Sequence, residues 1–372
     1  MTALAPVGCQ PRQVDYGSLE TRRSDGVVTF QDEPFDGVAV RYDDLGFLVE
    51  RTTYRMGRKD GLAERWHAGG MPGFRATYRG GRRHGRAETW WEDGMVRSVS
   101  HYVDGVAHGV QRDWYRSGAL FKEVRLVNGR EEGIQRAWRE NGKLYANYEA
   151  RDGRTWGMKR SNLCLEQTRT ALPGEREPRP LPYYADESFA PLWYEDHSDL
   201  PDGFHSIGSF NLVDQRGAAV TEATVRGKVY VANFFFTACP GICPMTMASM
   251  ARLQSELGGF DDVLLISHSV TPEADTVPVL QAYAERMRVV SSKWHLVTGS
   301  REVIDDLGKR AYFAHEDLGE PAGNTAADTF LHSEHFLLVD RDGHIRGVYN
   351  GMNRTAVEQL IGDVEVLRRE AL

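Results

Sequence analysis

The sequence predicts a two-domain α+β protein in which an antiparallel sheet of β-hairpin repeats precedes an α/β domain. Three observations support this prediction. Tryptophan and glycine residues recur with a step of 24 in the first half of the chain. After about residue 204, apolar strand-like runs alternate with helical segments. A stretch rich in proline and charge separates the halves, and 372 residues are enough for two domains with separate cores.

The repeats are defined by residues that keep one step over several units. The residues in register are Trp66, Trp90, Trp114 and Trp138, and the glycines at 57, 81, 105, 129 and 153, at 61, 85, 109, 133 and 157, and at 46, 70, 94, 118 and 142. Several residues in register indicate stacked copies of one unit. We therefore predict five 24-residue units within residues 37–160, preceded by an N-terminal segment, residues 1–36.

Each unit is predicted to form a hairpin. Segments such as 92–94 (Glu-Asp-Gly) and 140–142 (Glu-Asn-Gly) contain turn residues that tolerate positive φ. One hairpin cannot bury its tryptophan, but stacked neighbours can. The pattern resembles MORN-type repeats, in the longer variant seen in antitoxin-like bacterial repeat proteins. It predicts a spacer or a docking platform more clearly than an activity.

The repeats carry a local excess of positive charge. Residues 51–100 contain eleven Lys and Arg against five Asp and Glu. Such a face suits an unknown acidic protein or a membrane surface with anionic head groups, and a solvated face without a partner is an equal alternative. The net charge of the whole chain is −8, which gives no support to nucleic-acid binding.

Residues 161–203 are predicted to be a linker and packing segment, because 172–182 contains four prolines among charged residues. Residues 204–372 then form the α/β domain. We predict strands at 229–236, 262–267, 294–297, 336–339 and 344–349, and helices at 245–257, 277–287, 301–309 and from about 355. Sheets of this kind place their ligand sites at the carboxyl ends of strands.

Two cysteines are the most informative residues of this domain. Cys239 and Cys243 are separated by three residues and lie between the first long strand and its helix. Backbone N–H groups and the helix dipole favour the thiolate form at such a turn. Two thiolates that converge on one ion suit Cu(I), which prefers soft donors. A redox-active pair and a structural disulfide are the alternatives.

A histidine is the expected third ligand. His332 and His335 open the strand at 336–339, and residues three apart on a strand point to opposite faces. Only one of them can face the cysteine turn, and the pattern alone does not choose between them. Three methionines also follow the cysteines at helical spacing, and we predict that they pack in a core: Met245, Met247 and Met250.

Over about residues 206–367 the chain resembles the SCO/SenC family of copper chaperones. The resemblance is carried by segments 236–244, 266–276 and 294–299, and by His332 ahead of a strand that ends in the turn 340–343. It implies a thioredoxin-like fold and copper bound by Cys239, Cys243 and His332.

Two positions depart from the family pattern. Leu331 and Thr271 stand where the family often has Asp. The loss of an acidic neighbour changes what orients the imidazole of His332, since hydrogen-bond partners normally fix a ligand histidine. Glu334, His335 and His268 are the candidates for such a supporting role.

The resemblance implies a metallochaperone that delivers copper to the dinuclear copper site of a respiratory oxidase, or reduces thiols there. The copper subunit of the oxidase would be its partner. The thiolates favour Cu(I), and the imidazole also permits Cu(II). One alternative is an enzyme, a thiol–disulfide oxidoreductase or thiol peroxidase that uses Cys239 and Cys243. Another is a repeat-based interaction protein whose second domain senses copper or redox state.

The location follows from weak signals. No segment approaches the roughly 20 apolar residues of a membrane helix. Residues 1–9 resemble the end of a bacterial lipoprotein signal, although the basic and apolar regions of such a signal are missing. We predict an extracytoplasmic protein, periplasmic or tethered to a membrane, with Cys9 as the candidate lipid anchor. Cys164 has no evident partner.

Overall fold

The computed structural model describes residues 12–22, 25–159, 180–195, 197–239, 241–314 and 334–370. These residues form two compact units that divide the chain between Ala146 and Asn147. The sequence places the boundary later, after residue 160, so the last predicted hairpin joins the second unit. Packing explains the difference, because Trp156 and Met158 lie buried in clusters made otherwise of residues from 181 onward.

The first unit is a strand-rich region dominated by one sheet. Its strands are β1 Gln13–Asp15, β2 Glu20–Thr21, β3 Val28–Phe30, β4 Glu33–Pro34, β5 Gly37–Tyr42, β6 Leu48–Arg55, β7 Arg58–Trp66, β8 Pro72–Arg79, β9 Arg82–Trp90, β10 Val96–Val103, β11 Val106–Ala107, β12 Gly109–Trp114, β13 Leu120–Val127, β14 Arg130–Glu131, β15 Gly133–Trp138 and β16 Leu144–Arg151, which ends in the second unit. The order is β1-β5-β6-β7-β8-β9-β10-β12-β13-β15, with β2, β3 and β4 in a separate small sheet. β1 pairs with β5 in parallel, and the other neighbours run antiparallel.

Two-residue turns with left-handed backbone join several of these strands. Asn128 and Gly129 link β13 to β14, and Met56 and Gly57 link β6 to β7, all with positive φ. Turns of this kind match the right-handed twist of the strands. At Gly57 a side chain is also excluded by space, because a Cβ atom would lie 2.3 Å from Cγ1 of Val27.

Small residues occupy part of the interior of the first sheet. Ala63, Ala76 and Ala87 lie opposite one another on three successive strands and are buried. The repeated tryptophans, expected to be buried by their neighbours, all remain partly exposed: Trp66, Trp90, Trp114 and Trp138. That expectation was wrong, and each of the four tryptophans is the last residue of its strand.

Part of the positive charge of residues 51–100 is neutralised within the sheet. The carboxylate of Glu64 is buried and binds Arg51 on one neighbouring strand and Arg75 on the other, the latter at 3.0 Å. Glu50 is likewise buried and binds Arg65 at 3.3 Å. These arginines therefore stabilise cross-strand pairs. They contribute less to the charge that a partner of the sheet would meet.

The second unit contains the predicted alternation of strands and helices. Its strands are β17 Arg154–Met158, β18 Asn211–Val213, β19 Ala219–Thr221, β20 Val229–Phe235, β21 Val263–Ser269, β22 Trp294–Val297, β23 His335–Val339 and β24 Ile345–Asn350, and its helices are α1 Glu222–Val225, α2 Cys243–Glu256, α3 Val277–Met287, α4 Arg301–Asp306 and α5 Arg354–Arg369. The main sheet has the order β22-β21-β20-β23-β24. The first three strands are parallel, and β23 and β24 form an antiparallel hairpin. This arrangement agrees with the thioredoxin-like fold that the resemblance implies.

The main sheet is covered on both faces, and the residues of β20 alternate between two hydrophobic clusters. The cysteine-side cluster includes Val231, Phe235, Met247, Met250, Leu280, Phe336, Leu360, Cys239 and Cys243. The opposite cluster includes Tyr230, Ala232, Phe234, Ile266, Ile304, Tyr312, Leu337 and Val339. Met247 and Met250 are fully buried, as a core role predicts, whereas Met245 is half exposed.

Among the described residues, no helix combines the length and the apolar character needed to span a membrane.

Candidate metal centre

The two cysteines lie together where β20 gives way to α2. Cys239 follows the strand by four residues, and Cys243 is the first residue of the helix, with Pro244 in its first turn. Both are free thiols, and their side chains belong to the cysteine-side cluster. Cys239 is 8% exposed and Cys243 is 3% exposed, so both cysteines are part of the hydrophobic core.

Burial controls the chemistry of this pair. It raises the pKa of Cys243 to about 12, and the side-chain hydrogen bond with Cys239 is the next cause of the increase. The sequence predicted the opposite effect, thiolate stabilised by the helix N-terminus. For Cys243 the effect runs the other way, because burial disfavours the charged thiolate. A metal ion that binds here must displace the thiol proton.

A buried carboxylate beside the turn was missed by the sequence analysis. Asp275 is 1% exposed and accepts hydrogen bonds from three hydroxyl groups: Thr237 at 2.5 Å, Ser269 at 2.6 Å and Thr271 at 3.0 Å. The backbone N–H of Thr237 also donates to it, at 3.3 Å. The sequence signal for this carboxylate was a group of hydroxyl residues at the carboxyl ends of β20 and β21.

His332 lies outside the described residues, as do Leu331, Cys9 and Cys164. The described chain resumes at Glu334, whose carbonyl accepts a hydrogen bond from the N–H of Gly351 at 2.7 Å. Because β23 is antiparallel to β20, this end of β23 lies at the edge of the sheet from which the cysteine turn departs. The described chain therefore resumes, two residues after His332, at the edge of the sheet from which the cysteine turn departs.

His335, the other candidate from this motif, lies on β23 among residues of the opposite cluster. It alternates in phase with Leu337 and Val339, whereas Phe336 belongs to the cysteine-side cluster. Side chains in phase on a strand share a face. The structure thus places His335 on the face of the sheet away from Cys239 and Cys243.

His268 also lies on the opposite face. It is fully buried in β21, where its ring stacks on Phe234 with centroids 5.0 Å apart and also contacts Tyr312. Burial lowers its pKa to about 4, so the ring is neutral near pH 7. The structure does not bring His268 together with the cysteines, and we assign it a packing role.

His268 makes the stability of the second unit sensitive to acid. The folded state has the lower pKa, about 4 against 6.5, so only the unfolded state takes up a proton between these values. We expect a loss of roughly 3 kcal/mol of unfolding free energy as pH falls from 6.5 to 4. Urea unfolding at several pH values measures it. His268→Phe should remove this component, the exposed His197→Phe should keep it, and an unchanged slope in His268→Phe would contradict the assignment.

The described donor set fits a soft monovalent ion. Within the described part of the chain no group of three or more His, Cys, Asp or Glu side chains is arranged to hold a metal. Two adjacent thiols are present, and thiolate sulfur is the donor that Cu(I) prefers. These two thiols are the donors that the described residues supply to the candidate site.

Comparisons with known proteins identify the family of the second unit. The family model SCO1/SenC matches residues 198–367. The SCO1 protein homolog of Bacillus subtilis is 32% identical over 163 residues, which are 43% of this chain and 82% of that protein. The chain belongs to the SCO1/SenC family. A Stutzerimonas stutzeri protein named for copper binding is 30% identical over 144 residues, which are 38% of this chain and 68% of that protein.

One solved structure is also similar to part of this chain. It is that of BsSco, a member of the Sco family of cytochrome c oxidase assembly proteins in which a disulfide switch was identified. It is 29% identical, and the match covers 45% of this chain and 95% of that chain with a TM-score of 0.38. The family model begins at residue 198, so the first unit lies outside the SCO1/SenC match.

Proposed function

We propose that the chain is an extracytoplasmic copper metallochaperone, which binds one copper ion through Cys239, Cys243 and His332. It would deliver the ion to, or reduce thiols at, the dinuclear copper site of a respiratory oxidase. The observation that carries the proposal is the pair of reduced, buried thiols in contact at the strand-to-helix turn of a SCO1/SenC domain.

Copper is the ion that this donor set and its relatives favour. The Stutzerimonas relative is named for copper binding. Two thiolates and an imidazole satisfy Cu(I) and also permit Cu(II). The copper ion is cargo in this proposal, so the thiols must release it as well as bind it.

A thiol–disulfide oxidoreductase is the second candidate, because the side chains of Cys239 and Cys243 are in hydrogen-bond contact. Disulfide exchange requires these two sulfurs alone. A copper site with three ligands also requires the imidazole of His332, so this residue discriminates between the two functions.

The decisive test is an anaerobic Cu(I) titration of the reduced full chain against a competing chelator. We expect one equivalent bound, with the affinity lowered at least tenfold by His332→Ala and unchanged by the matched control His335→Ala. The control removes an imidazole three residues along the chain, on the face of the sheet away from the cysteines. Weak binding that is indifferent to His332, together with rapid disulfide exchange, would favour the oxidoreductase.

For the first unit we propose the finer architecture that the 24-residue period predicts, a MORN-type repeat sheet that serves as a platform for a protein or membrane-surface partner. Its antiparallel strands and turn glycines support the proposal. Lipid attachment at Cys9 would tether the chain outside the cytoplasm. Crosslinking of the full chain in cells, with the first unit as the expected site of crosslinks, tests the platform.

A further inference from the structure

The carboxylate of Asp275 connects three segments around the cysteine turn. Thr237 lies two residues before Cys239, Ser269 ends β21, and Thr271 lies on the loop that follows. All three hydroxyl groups donate to Asp275, which itself stands two residues before α3. One buried acceptor therefore holds the segment leading into the turn against the neighbouring strand and loop.

The hydrogen bonds from the backbone N–H and the hydroxyl of Thr237 tie the carboxylate of Asp275 to a residue that lies two positions before Cys239 in the chain. Thr271 stands where the family often has an acidic residue, and here its hydroxyl donates to Asp275 at 3.0 Å.

We propose that Asp275 is the positioning residue of the cysteine pair: by fixing Thr237, it holds the sulfur of Cys239 where it meets that of Cys243. A ligand held in place by hydrogen bonds loses less conformational entropy when two sulfurs must converge. The copper consequence rests on the proposed function, whereas the consequence for disulfide formation does not.

Two readouts on the full chain test the proposal. The first is Cu(I) affinity by chelator competition. The second is the thiol–disulfide equilibrium with glutathione, in which Cys239 and Cys243 lose two protons and two electrons and form one S–S bond. Glutathione disulfide takes up both and becomes two glutathione molecules. Neither readout measures global stability.

Asp275→Asn keeps the shape of the side chain but replaces one acceptor oxygen by a donor. We expect Cu(I) affinity to fall about 10–100-fold. The equilibrium between dithiol and disulfide should shift about tenfold toward the dithiol. This corresponds to a reduction potential about 30 mV higher than that of the wild type. Ser269→Ala removes one hydrogen-bond donor to Asp275 that is remote from the cysteines in sequence. It should lower Cu(I) affinity and favour the dithiol in the same way. Ser300→Ala, which removes the hydroxyl that caps α4, should change neither the Cu(I) affinity nor the thiol–disulfide equilibrium.

The outcomes separate the two hypotheses. A folded Asp275→Asn with wild-type affinity and wild-type redox equilibrium overturns the positioning role. If that variant loses its near-UV circular dichroism, Ser269→Ala and Thr237→Val replace it in the test. A wild-type thiol–disulfide equilibrium in both of these variants overturns the positioning role of Asp275. If the wild-type chain binds no Cu(I), the metallochaperone proposal fails, while a shifted redox equilibrium still supports the role of Asp275.

Discussion

Cys239→Ser and Cys243→Ser are each expected to lower Cu(I) affinity by several orders of magnitude. A serine hydroxyl is a hard donor and remains protonated near neutral pH, so it does not replace a thiolate on a soft ion. The side chains of the two cysteines are in hydrogen-bond contact, and each supplies one of the two thiols in the described part of the turn. Anaerobic competition with a Cu(I) chelator measures the loss.

The control for this prediction is Met245→Leu. Met245 lies two residues after Cys243 and is 53% exposed, so its thioether is available to solvent without belonging to the core. We expect wild-type affinity in this variant. Circular dichroism establishes that each serine variant retains its fold, and a folded variant with wild-type affinity would refute the two-thiolate site.

Arg154→Ala is expected to destabilise the second unit by roughly 3–5 kcal/mol. Both carboxylate oxygens of Asp363 accept hydrogen bonds from Arg154, at 2.5 and 2.6 Å, and one also accepts from the hydroxyl of Tyr349 at 2.9 Å. Asp363 is 1% exposed. Without the guanidinium, a buried carboxylate would lose its counter-charge, or take up a proton at a cost in folding free energy.

Arg354→Ala is the matched control, because Arg354 pairs with Glu358 one helical turn along α5 at the surface. Pairs of that kind contribute about 0.3–0.5 kcal/mol. Urea unfolding of both variants measures the difference. Arg154→Ala combined with Asp363→Leu should recover part of the loss, since no buried charge then remains. Equal stability of the Arg154 and Arg354 variants would contradict the prediction.

The sequence predicts much of the α/β fold because its signals are local. β20 is an uninterrupted apolar run, and the cysteine turn follows it directly. The contacts that decide the unit boundary are not local. Arg154 and Asp363 are 209 residues apart, and nothing near Trp156 in the sequence shows that it packs with residues beyond 180.

The candidate site was predicted unevenly for the same reason. The spacing of Cys239 and Cys243 predicted that they are the central pair of the site. Strand alternation predicted that the side chains of His332 and His335 would point to opposite faces of the sheet. The pKa of Cys243 depends on how many atoms bury it, which a motif does not report. Asp275 acts through hydroxyl groups on three segments that approach one another only in the folded sheet.

Because the thiols are buried, the affinity for a bound ion and the rate at which that ion is exchanged are set by different features of the turn. Transfer between sulfur ligands requires the incoming donor to reach the ion before the outgoing donors have left. At this turn Cys239 is 8% exposed and Cys243 is 3% exposed, so both residues are buried. Release of a bound ion would therefore await a brief opening of the turn. The residence time of the cargo would be set by local motion, which an acceptor surface that opens the turn could shorten without changing the affinity of the closed state.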